Sequence, residues 1–199
     1  MSEQDRVQAI YDEFAKTYDE HYSSPEFQEE DIALFKILSP WVRGKVLDLG
    51  CGTGLTLSYN QIAKEDYLGI DPSEGMLSKL QAKFPGFTTV NSKFEDWDKA
   101  NESGSFDTIL GLFGAPSYFD KESYARVLER LTPKGHYLLM FYKPGYFPAH
   151  IYSQEDIEAT KARIAYDLIN STFENTFIFT NYLVATNVPK EFLPIGNKA

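Results

Sequence analysis

Apolar positions in the first forty residues repeat at the spacing of a helix. Large apolar side chains recur every three or four positions and predict one buried helical face. They are Val7, Ile10, Tyr11, Phe14 and Tyr18. A second helix is predicted from Ser24 to Leu38, because serine caps helix N-termini and proline, here Pro25, is tolerated in the first turn.

The body of the chain alternates short apolar runs with amphipathic stretches. Five of the apolar runs predict strands, at residues 45–49, 66–70, 87–91, 106–113 and 136–142. Strands that alternate with helices are joined by parallel crossovers in a doubly wound sheet. The pattern therefore predicts an α/β fold built on a mainly parallel sheet.

The last quarter of the chain has a different pattern. One helix is predicted from Ser153 to Leu168, with an apolar stripe along one face. Two strand-like runs follow, 173–179 and 182–186, and the short spacing between them predicts a hairpin added to the sheet. The complete prediction is a doubly wound, seven-stranded, mainly parallel sheet with a C-terminal antiparallel hairpin.

Three glycines at alternate positions follow the first predicted strand: Gly50, Gly52 and Gly54. Glycine is required where the backbone turns at positive φ, or where a ligand approaches the main chain closely. In a doubly wound sheet, ligands bind beyond the carboxyl ends of the strands. Asp48 stands before the first glycine, and a carboxylate there suits a cationic ligand better than a pyrophosphate.

Further acidic residues follow the next two predicted strands. Asp71 ends the second strand, where a carboxylate accepts hydrogen bonds from ribose hydroxyls in dinucleotide-binding folds. Glu95 and Asp96 follow the third strand beside Phe94 and Trp97, a combination that could hold an adenine. A solvated acidic turn explains the pair of acids equally well.

Four motifs in this order resemble those of class I S-adenosylmethionine-dependent methyltransferases of the small-molecule type. They are residues 48–54 (DLGCGTG), 69–73 (GIDPS), 105–107 (SFD) and 131–136 (LTPKGH). The resemblance extends over most of the chain, from about residue 11 to 187. It implies a Rossmann-like methyltransferase fold, with S-adenosylmethionine as the cofactor.

The resemblance also implies roles for individual residues. Asp48 and the backbone of Gly50, Gly52 and Gly54 would hold the methionine end of the cofactor. Asp71 would bind the ribose hydroxyls. The glycine loop and the end of the second strand would therefore form one continuous binding edge.

The adenine and the sulfonium would lie along the same edge. Pro72 and Met76 would pack near the adenine, and Glu95 or Asp96 would sit by its amino group. Leu112, near the end of the fourth predicted strand, would face the sulfonium side.

The first forty residues resemble the aromatic N-terminal segment that many small-molecule members fold over the cofactor. Tyr11 and Tyr18 are therefore candidate cofactor contacts, although apolar residues at helical spacing are also typical of a core. We expect one methyltransferase domain over residues 1–199, with a helical lid segment at 1–40 and a Rossmann-like core at 45–187.

The cysteine, histidine and acidic residues of the chain limit the kinds of site that it can form. The chain has 199 residues, 29 acidic and 19 basic, and a formal charge of −10. Its single cysteine, Cys51, excludes an intrachain disulfide framework, and packing against the cofactor is the favoured role for it. No His, Asp or Glu cluster has metal-ligand spacing, so a metal-free enzyme is expected. His21 and His150 are candidate bases, whereas His136 is expected to be structural.

Charge and hydropathy also limit the partners. The basic residues are scattered, which argues against nucleic acid as a partner. The longest apolar run, residues 137–142, is far shorter than the roughly 20 residues of a membrane helix, and the polar first residues predict no signal peptide. We expect a cytoplasmic protein with a small-molecule partner and no membrane association.

The expected function is methyl transfer from S-adenosylmethionine to an oxygen, nitrogen or carbon atom of a small molecule. Three alternatives stay open: a catalytically inactive S-adenosylmethionine-binding module, an RNA methyltransferase, and a nicotinamide-dependent oxidoreductase. The G-x-G-x-G spacing and Asp48 argue against the last, because dinucleotide-binding loops have the spacing G-x-G-x-x-G.

Overall fold

Seven strands form one sheet in the order β3-β2-β1-β4-β5-β7-β6 in the computed structural model, which describes residues 3–101, 103–148 and 152–194. The strands are β1 Val46–Leu49, β2 Tyr67–Asp71, β3 Thr88–Asn91, β4 Phe106–Gly111, β5 Leu131–Tyr142, β6 Asn175–Phe179 and β7 Tyr182–Thr186. Strands β1 to β5 pair in parallel, and β7 is antiparallel to both β5 and β6. The predicted mainly parallel sheet with its C-terminal hairpin is confirmed.

Helices connect the parallel strands and also precede the sheet. The α-helices of the described residues are α1 Glu3–Phe14, α2 Tyr18–His21, α3 Pro25–Leu38, α4 Leu55–Tyr59, α5 Glu74–Lys83, α6 Phe94–Ala100, α7 Ser123–Glu129, α8 Gln154–Arg163 and α9 Tyr166–Thr172. Every residue of β1 is buried, as is typical of a strand covered on both faces. Within the described part of the chain, no helix has the length and apolar character needed to cross a membrane.

Strand β4 ends at Gly111, earlier than its apolar pattern predicts. Phe113 has a φ of 48° and Gly114 a φ of 93°, so the chain turns sharply after the strand. A Cβ atom at Gly114 would lie 2.3 Å from the Tyr142 ring, and only glycine fits there. The turn lays the short 3-10 helix Ala115–Tyr118 across the carboxyl edge of the sheet, where it lines the cavity described below.

The single helix predicted from Ser153 to Leu168 is wrong. The structure has two helices, α8 and α9, and Ala165 between them has φ −91° and ψ 78°, which is not helical. The break turns Ile169 into the core and leaves Leu168 38% exposed. Alanine is a strong helix former, so the sequence carries no local signal for this break.

Candidate active site

A cavity of about 420 Å³ lies at the carboxyl ends of β1, β2, β4 and β5. Its volume is typical of pockets for small molecules, and its position is where ligands bind in doubly wound sheets. The sequence-predicted residues that line it are Tyr11, Tyr18, Asp48, Gly50, Cys51, Gly52, Asp71, Pro72, Met76, Glu95 and Leu112. The lining combines two kinds of surface, one of carboxylates and glycine backbone and one of aromatic rings.

The glycine loop leaves open space where side chains would otherwise stand. Gly50 and Gly52 have φ values of 69° and 53°, in the left-handed region that favours glycine. A Cβ atom at Gly50 would lie 2.4 Å from the Cβ of Ala115, so this glycine permits close packing of the loop. A Cβ atom at Gly52 would have only the Gly50 carbonyl oxygen nearby, at 3.9 Å, and would point into free volume. Gly52 therefore leaves open space for a ligand beside the backbone of the glycine loop, and we call this space the cradle.

Two of the sequence-predicted residues lie outside the lining, Gly54 and Asp96. Gly54 precedes α4 with a φ of 92°, and a Cβ atom there would lie 3.0 Å from the Phe84 ring and 3.1 Å from Leu80. The absence of a side chain at Gly54 lets the start of α4 pack closely against α5. Gly54 is therefore needed for packing. The side chain of Asp96 is exposed on α6, so of the two adjacent acids only Glu95 reaches the cavity.

Asp48 carries a buried carboxylate at the entrance to the glycine loop. It is 2% exposed, and its Oδ2 accepts a hydrogen bond of 2.9 Å from the Tyr67 hydroxyl. Burial raises the pKa of Asp48 from 3.8 to about 6, although hydrogen bonds from Tyr67 and Thr56 act in the opposite direction. The carboxylate is therefore mostly ionised at neutral pH, in a place where a negative charge is poorly solvated.

Asp71 joins the end of β2 to the glycine loop. Its Oδ2 accepts a hydrogen bond of 2.9 Å from the Gly52 amide, and its Oδ1 accepts one of 2.8 Å from the Ser73 amide. Burial raises the pKa of Asp71 from 3.8 to about 6, against the effect of these two amides. Each carboxylate oxygen has a second lone pair that neither amide uses.

The central part of the chain matches a known protein family. Residues 46–135, from the start of β1 into β5, match a family model described as a methyltransferase domain. The match covers a little under half of the chain, and it agrees with the resemblance of the sequence motifs to class I S-adenosylmethionine-dependent methyltransferases. The matched range contains the glycine loop, Asp48 and Asp71.

Individual proteins also resemble this chain, at identities of 13–24% for the three described here. The ubiquinone/menaquinone biosynthesis C-methyltransferase UbiE of Campylobacter jejuni is 24% identical over 156 residues, which cover 70% of this chain and 64% of UbiE. The chain thus spans slightly less than two thirds of that relative. The DhpI–SAH complex has a TM-score of 0.60 at 13% identity, covering 90% of this chain and 93% of DhpI. Streptomyces venezuelae DesVI has a TM-score of 0.56 at 16% identity, covering 88% and 98%. The two structures show the fold alone.

Glu95 has structural partners as well as a place in the lining of the cavity. Its Oε1 accepts hydrogen bonds of 2.9 Å from the Asp120 amide and 3.3 Å from the Ser123 hydroxyl, so it holds the chain at the start of α7. Pro72 and Met76 line the cavity beside it. This part of the cavity combines an apolar surface with one carboxylate.

Two acidic residues connect the N-terminal helices to the loops that follow β1 and β2. The Oδ1 of Asp12 accepts hydrogen bonds of 2.7 Å from the Ser73 hydroxyl and 3.0 Å from the Gly75 amide. Asp19 accepts a hydrogen bond of 2.6 Å from the Thr53 hydroxyl, and a further bond from Lys83. Neither acid is recognisable as a connecting residue from the sequence, because their partners lie far away along the chain and no spacing rule connects them.

Aromatic side chains from several elements close the other side of the cavity. The lining rings are those of Tyr11, Tyr18, Tyr22, Phe27, Phe113, Tyr118, Phe119, Tyr142, Tyr146 and Tyr182. The Tyr118 hydroxyl lies 2.5 Å from that of Tyr152 and 3.5 Å from that of Tyr142. Burial raises the pKa of Tyr118 and Tyr142 well above the ordinary value, so both phenols are neutral. We call this set of rings the aromatic wall.

The histidine and cysteine candidates lie in different environments. His136 is at the amino end of the sheet, where its Nε2 lies 2.8 Å from an Arg43 nitrogen, so it is remote from the cavity. His21 lines the cavity among aromatic rings, and His150 lies outside the described residues. Burial raises the pKa of the Cys51 thiol well above its ordinary value, which keeps it protonated and unreactive. In the described ranges, no group of three or more His, Cys, Asp or Glu side chains could hold a metal ion.

Proposed function

We propose that this chain binds S-adenosylmethionine and transfers its methyl group to an oxygen, nitrogen or carbon atom of a small molecule. The observation that carries the proposal is the continuity of the cavity. The carboxylate and glycine side of the methyltransferase domain and the aromatic wall face the same volume, so a donor and an acceptor can meet there.

The charges of the cavity fit a cationic donor. Asp48 and Asp71 are both buried, and neither forms an ion pair with a lysine or arginine in the part of the chain that the structure describes. Two buried carboxylates without a cation are costly, as their raised pKa values indicate. A positively charged sulfonium compound would supply the missing charge.

Each part of the donor has a matching group among the residues near the carboxylates and the glycine loop. The unused lone pairs of Asp71 suit the two ribose hydroxyls, and the open space at Gly52 accommodates the methionine portion. Asp48 lies beside the same loop. Pro72 and Met76 provide an apolar surface for the adenine, with Leu112 on the sulfonium side.

The chemistry requires positioning more than activation. The bound donor supplies an electrophilic methyl group on a sulfonium, which is a good leaving group. The protein holds the acceptor in line with that methyl group, and such orientation can contribute about 7–11 kcal/mol to catalysis. A cation that contacts the face of a ring in the aromatic wall is stabilised by roughly 0.5–2 kcal/mol.

We further propose that residues 1–199 form one domain in which residues 1–40 act as a lid over the donor. Tyr11 and Tyr18 line the cavity from this segment, and Asp12 and Asp19 connect it to the core. Removal of the Asp12 and Asp19 bonds would allow the segment to open. The acidic composition and the single cysteine support a cytoplasmic location for this enzyme.

Replacing Asp12 with alanine is expected to speed the dissociation of S-adenosylhomocysteine about tenfold, because hydrogen bonds to a charged group are worth about 1.5–3 kcal/mol each. Stopped-flow displacement of the bound ligand measures this rate. Glu13→Ala is the matched control, since Glu13 is exposed and its ion pair is with Lys16, an exposed residue just beyond the end of α1. Equal dissociation rates in Asp12→Ala and the parent protein would refute the lid.

Substitutions at two glycines should separate folding from binding. Gly52→Ala is expected to weaken S-adenosylhomocysteine binding at least about 30-fold while costing roughly 1–2 kcal/mol of stability, because its Cβ enters the cradle at positive φ. Gly50→Ala is expected to destabilise the fold by about 2–5 kcal/mol, because its Cβ would overlap Ala115. Urea unfolding and calorimetric titration measure the two effects. Unchanged affinity in Gly52→Ala would contradict the proposed position of the donor.

The transfer of tritium from methyl-labelled S-adenosylmethionine tests the proposed function. Purified protein is incubated with an extract containing small metabolites and, separately, with total RNA. Label in a small molecule is the expected result. Label in RNA, together with salt-sensitive RNA binding, would favour an RNA methyltransferase. Binding of S-adenosylhomocysteine without any labelled product would identify an inactive binding module, and tight binding of NADH would favour an oxidoreductase.

A further inference from the structure

Glu30 and Asp31 of α3 line the cavity together with aromatic rings, and we call this part of the cavity the Glu30 end. Glu30 of α3 accepts a hydrogen bond from the Thr180 hydroxyl, in the turn between β6 and β7. Burial raises the pKa of Tyr22, Tyr146 and Tyr182, and the nearby Glu30 carboxylate adds to each increase. Glu30 therefore lies close to three phenol rings that come from three different parts of the fold.

The charges of the cavity lining at this end are negative, and the Lys143 ammonium, which donates a hydrogen bond of 2.7 Å to the Thr180 carbonyl, lies outside the lining. Asp31, the next residue of α3, also lines the cavity, and burial followed by repulsion from Glu30 raises its pKa to about 6. The lining lysines of the described chain, Lys83 and Lys93, come from α5 and from the loop before α6, beside β2 and β3. Lys83 lies 2.9 Å from Asp19. An acceptor with a carboxylate or phosphate would meet repulsion at the Glu30 end.

The phenols at this end do not act as bases. Burial raises the pKa of Tyr22 and Tyr182, as it does for Tyr118 and Tyr142, so each hydroxyl keeps its proton at neutral pH. A hydroxyl or carbon nucleophile must lose a proton to a base before or during methyl transfer, whereas the lone pair of an amine attacks directly. The phenols of the aromatic wall therefore supply no base, and an amine nitrogen, which needs none for its attack, suits them best.

We propose that the methyl acceptor is a small amine, whose cationic nitrogen is attracted by Glu30 and the surrounding rings. This inference rests on the proposed function and specifies its substrate class. The amine enters as an ammonium ion and loses one proton to solvent. Its nitrogen lone pair then forms a bond to the methyl carbon while the carbon–sulfur bond breaks, and that electron pair returns to sulfur to give a neutral thioether. The methylated ammonium product retains the positive charge.

Three probes of one shape test the preference for a cation: 2-phenylethylamine, 2-phenylethanol and 3-phenylpropionate. Ligand-observed saturation-transfer NMR measures their affinities for protein saturated with S-adenosylhomocysteine, which leaves the acceptor end as the available volume. The amine is expected to bind at least about tenfold more tightly than the alcohol, because the aromatic wall and the Glu30 carboxylate both attract a cation. The 3-phenylpropionate anion is expected to bind most weakly.

Glu30→Gln should reduce the preference for the amine over the alcohol to within about twofold, while its amide oxygen can still accept the Thr180 hydrogen bond. Glu29→Gln is the matched control, because it removes the same charge from an exposed position on the same helix. The amine proposal would be overturned if the amine and the alcohol bound equally, if 3-phenylpropionate bound more tightly, or if none of the three probes bound. It would also be overturned if the preference for the amine were unchanged in Glu30→Gln. Binding of S-adenosylhomocysteine is measured separately, and its failure would instead overturn the proposed function.

Discussion

Replacing Asp71 with alanine is expected to weaken the binding of S-adenosylhomocysteine at least about 100-fold. The substitution leaves the amides of Gly52 and Ser73 without their carboxylate partner, and each such bond is worth about 1.5–3 kcal/mol. It also removes the acceptor proposed for the ribose hydroxyls. The cradle would therefore lose both its shape and its main polar contact.

Calorimetric titration at pH 7.5 measures the effect of Asp71→Ala, with thermal unfolding to establish that the variant is folded. Asp96→Ala serves as the control, because Asp96 is an exposed acid near the same edge of the sheet and does not line the cavity. The control should bind like the parent protein. A loss of less than about threefold in Asp71→Ala would remove this residue from the binding site.

Asp48→Asn is expected to stabilise the ligand-free protein by about 1–3 kcal/mol at pH 7.5 while it weakens S-adenosylmethionine binding. The pKa of Asp48 rises from 3.8 to about 6 on folding, so the folded state holds more protons than the unfolded state between these values. The stability contributed by Asp48 is complete below about pH 4 and is lost as the pH rises through about 6. Asparagine carries no charge, so the variant does not lose this stability at neutral pH. Its side-chain carbonyl can still accept the Tyr67 hydrogen bond.

Urea unfolding of Asp48→Asn and the parent protein at pH 4, 6 and 7.5 tests this expectation. The difference in free energy of unfolding should be small at pH 4 and largest at pH 7.5. Asp107→Asn provides a control of opposite sign, because hydrogen bonds from the Lys45 amide and the Thr132 hydroxyl lower the pKa of Asp107. That variant should become less stable than the parent as the pH rises. A destabilised Asp48→Asn at pH 7.5 would show that the buried charge is compensated in some other way.

The sequence predicts the parts of this structure that depend on local pattern. Alternating apolar runs predict the sheet, and Ser73 is a recognisable helix cap whose hydroxyl accepts a hydrogen bond from the Met76 amide. The glycine loop with Asp48 and Asp71 predicts the position of the cavity, because strand ends of a parallel sheet meet at one edge. These features are set by residues that are close in the chain or by a general rule of the fold.

Other features depend on contacts that the sequence does not encode locally. Gly54 has the spacing of a ligand-binding glycine, yet its environment is the side chains of Leu80 and Phe84. The Glu30 contact with Thr180 joins opposite ends of the chain, and no periodicity connects the two residues. The aromatic wall is likewise assembled from separate elements, so its rings look like ordinary core residues in the sequence. Only the three-dimensional arrangement distinguishes lining residues from packing residues.

A crystal structure of the protein grown with S-adenosylhomocysteine would show whether the donor occupies the cavity. We expect one ligand there, with its ribose hydroxyls within hydrogen-bond distance of Asp71 and its sulfur directed towards the aromatic wall. A ligand bound elsewhere, or a cavity filled by the protein's own side chains at saturating ligand, would contradict it.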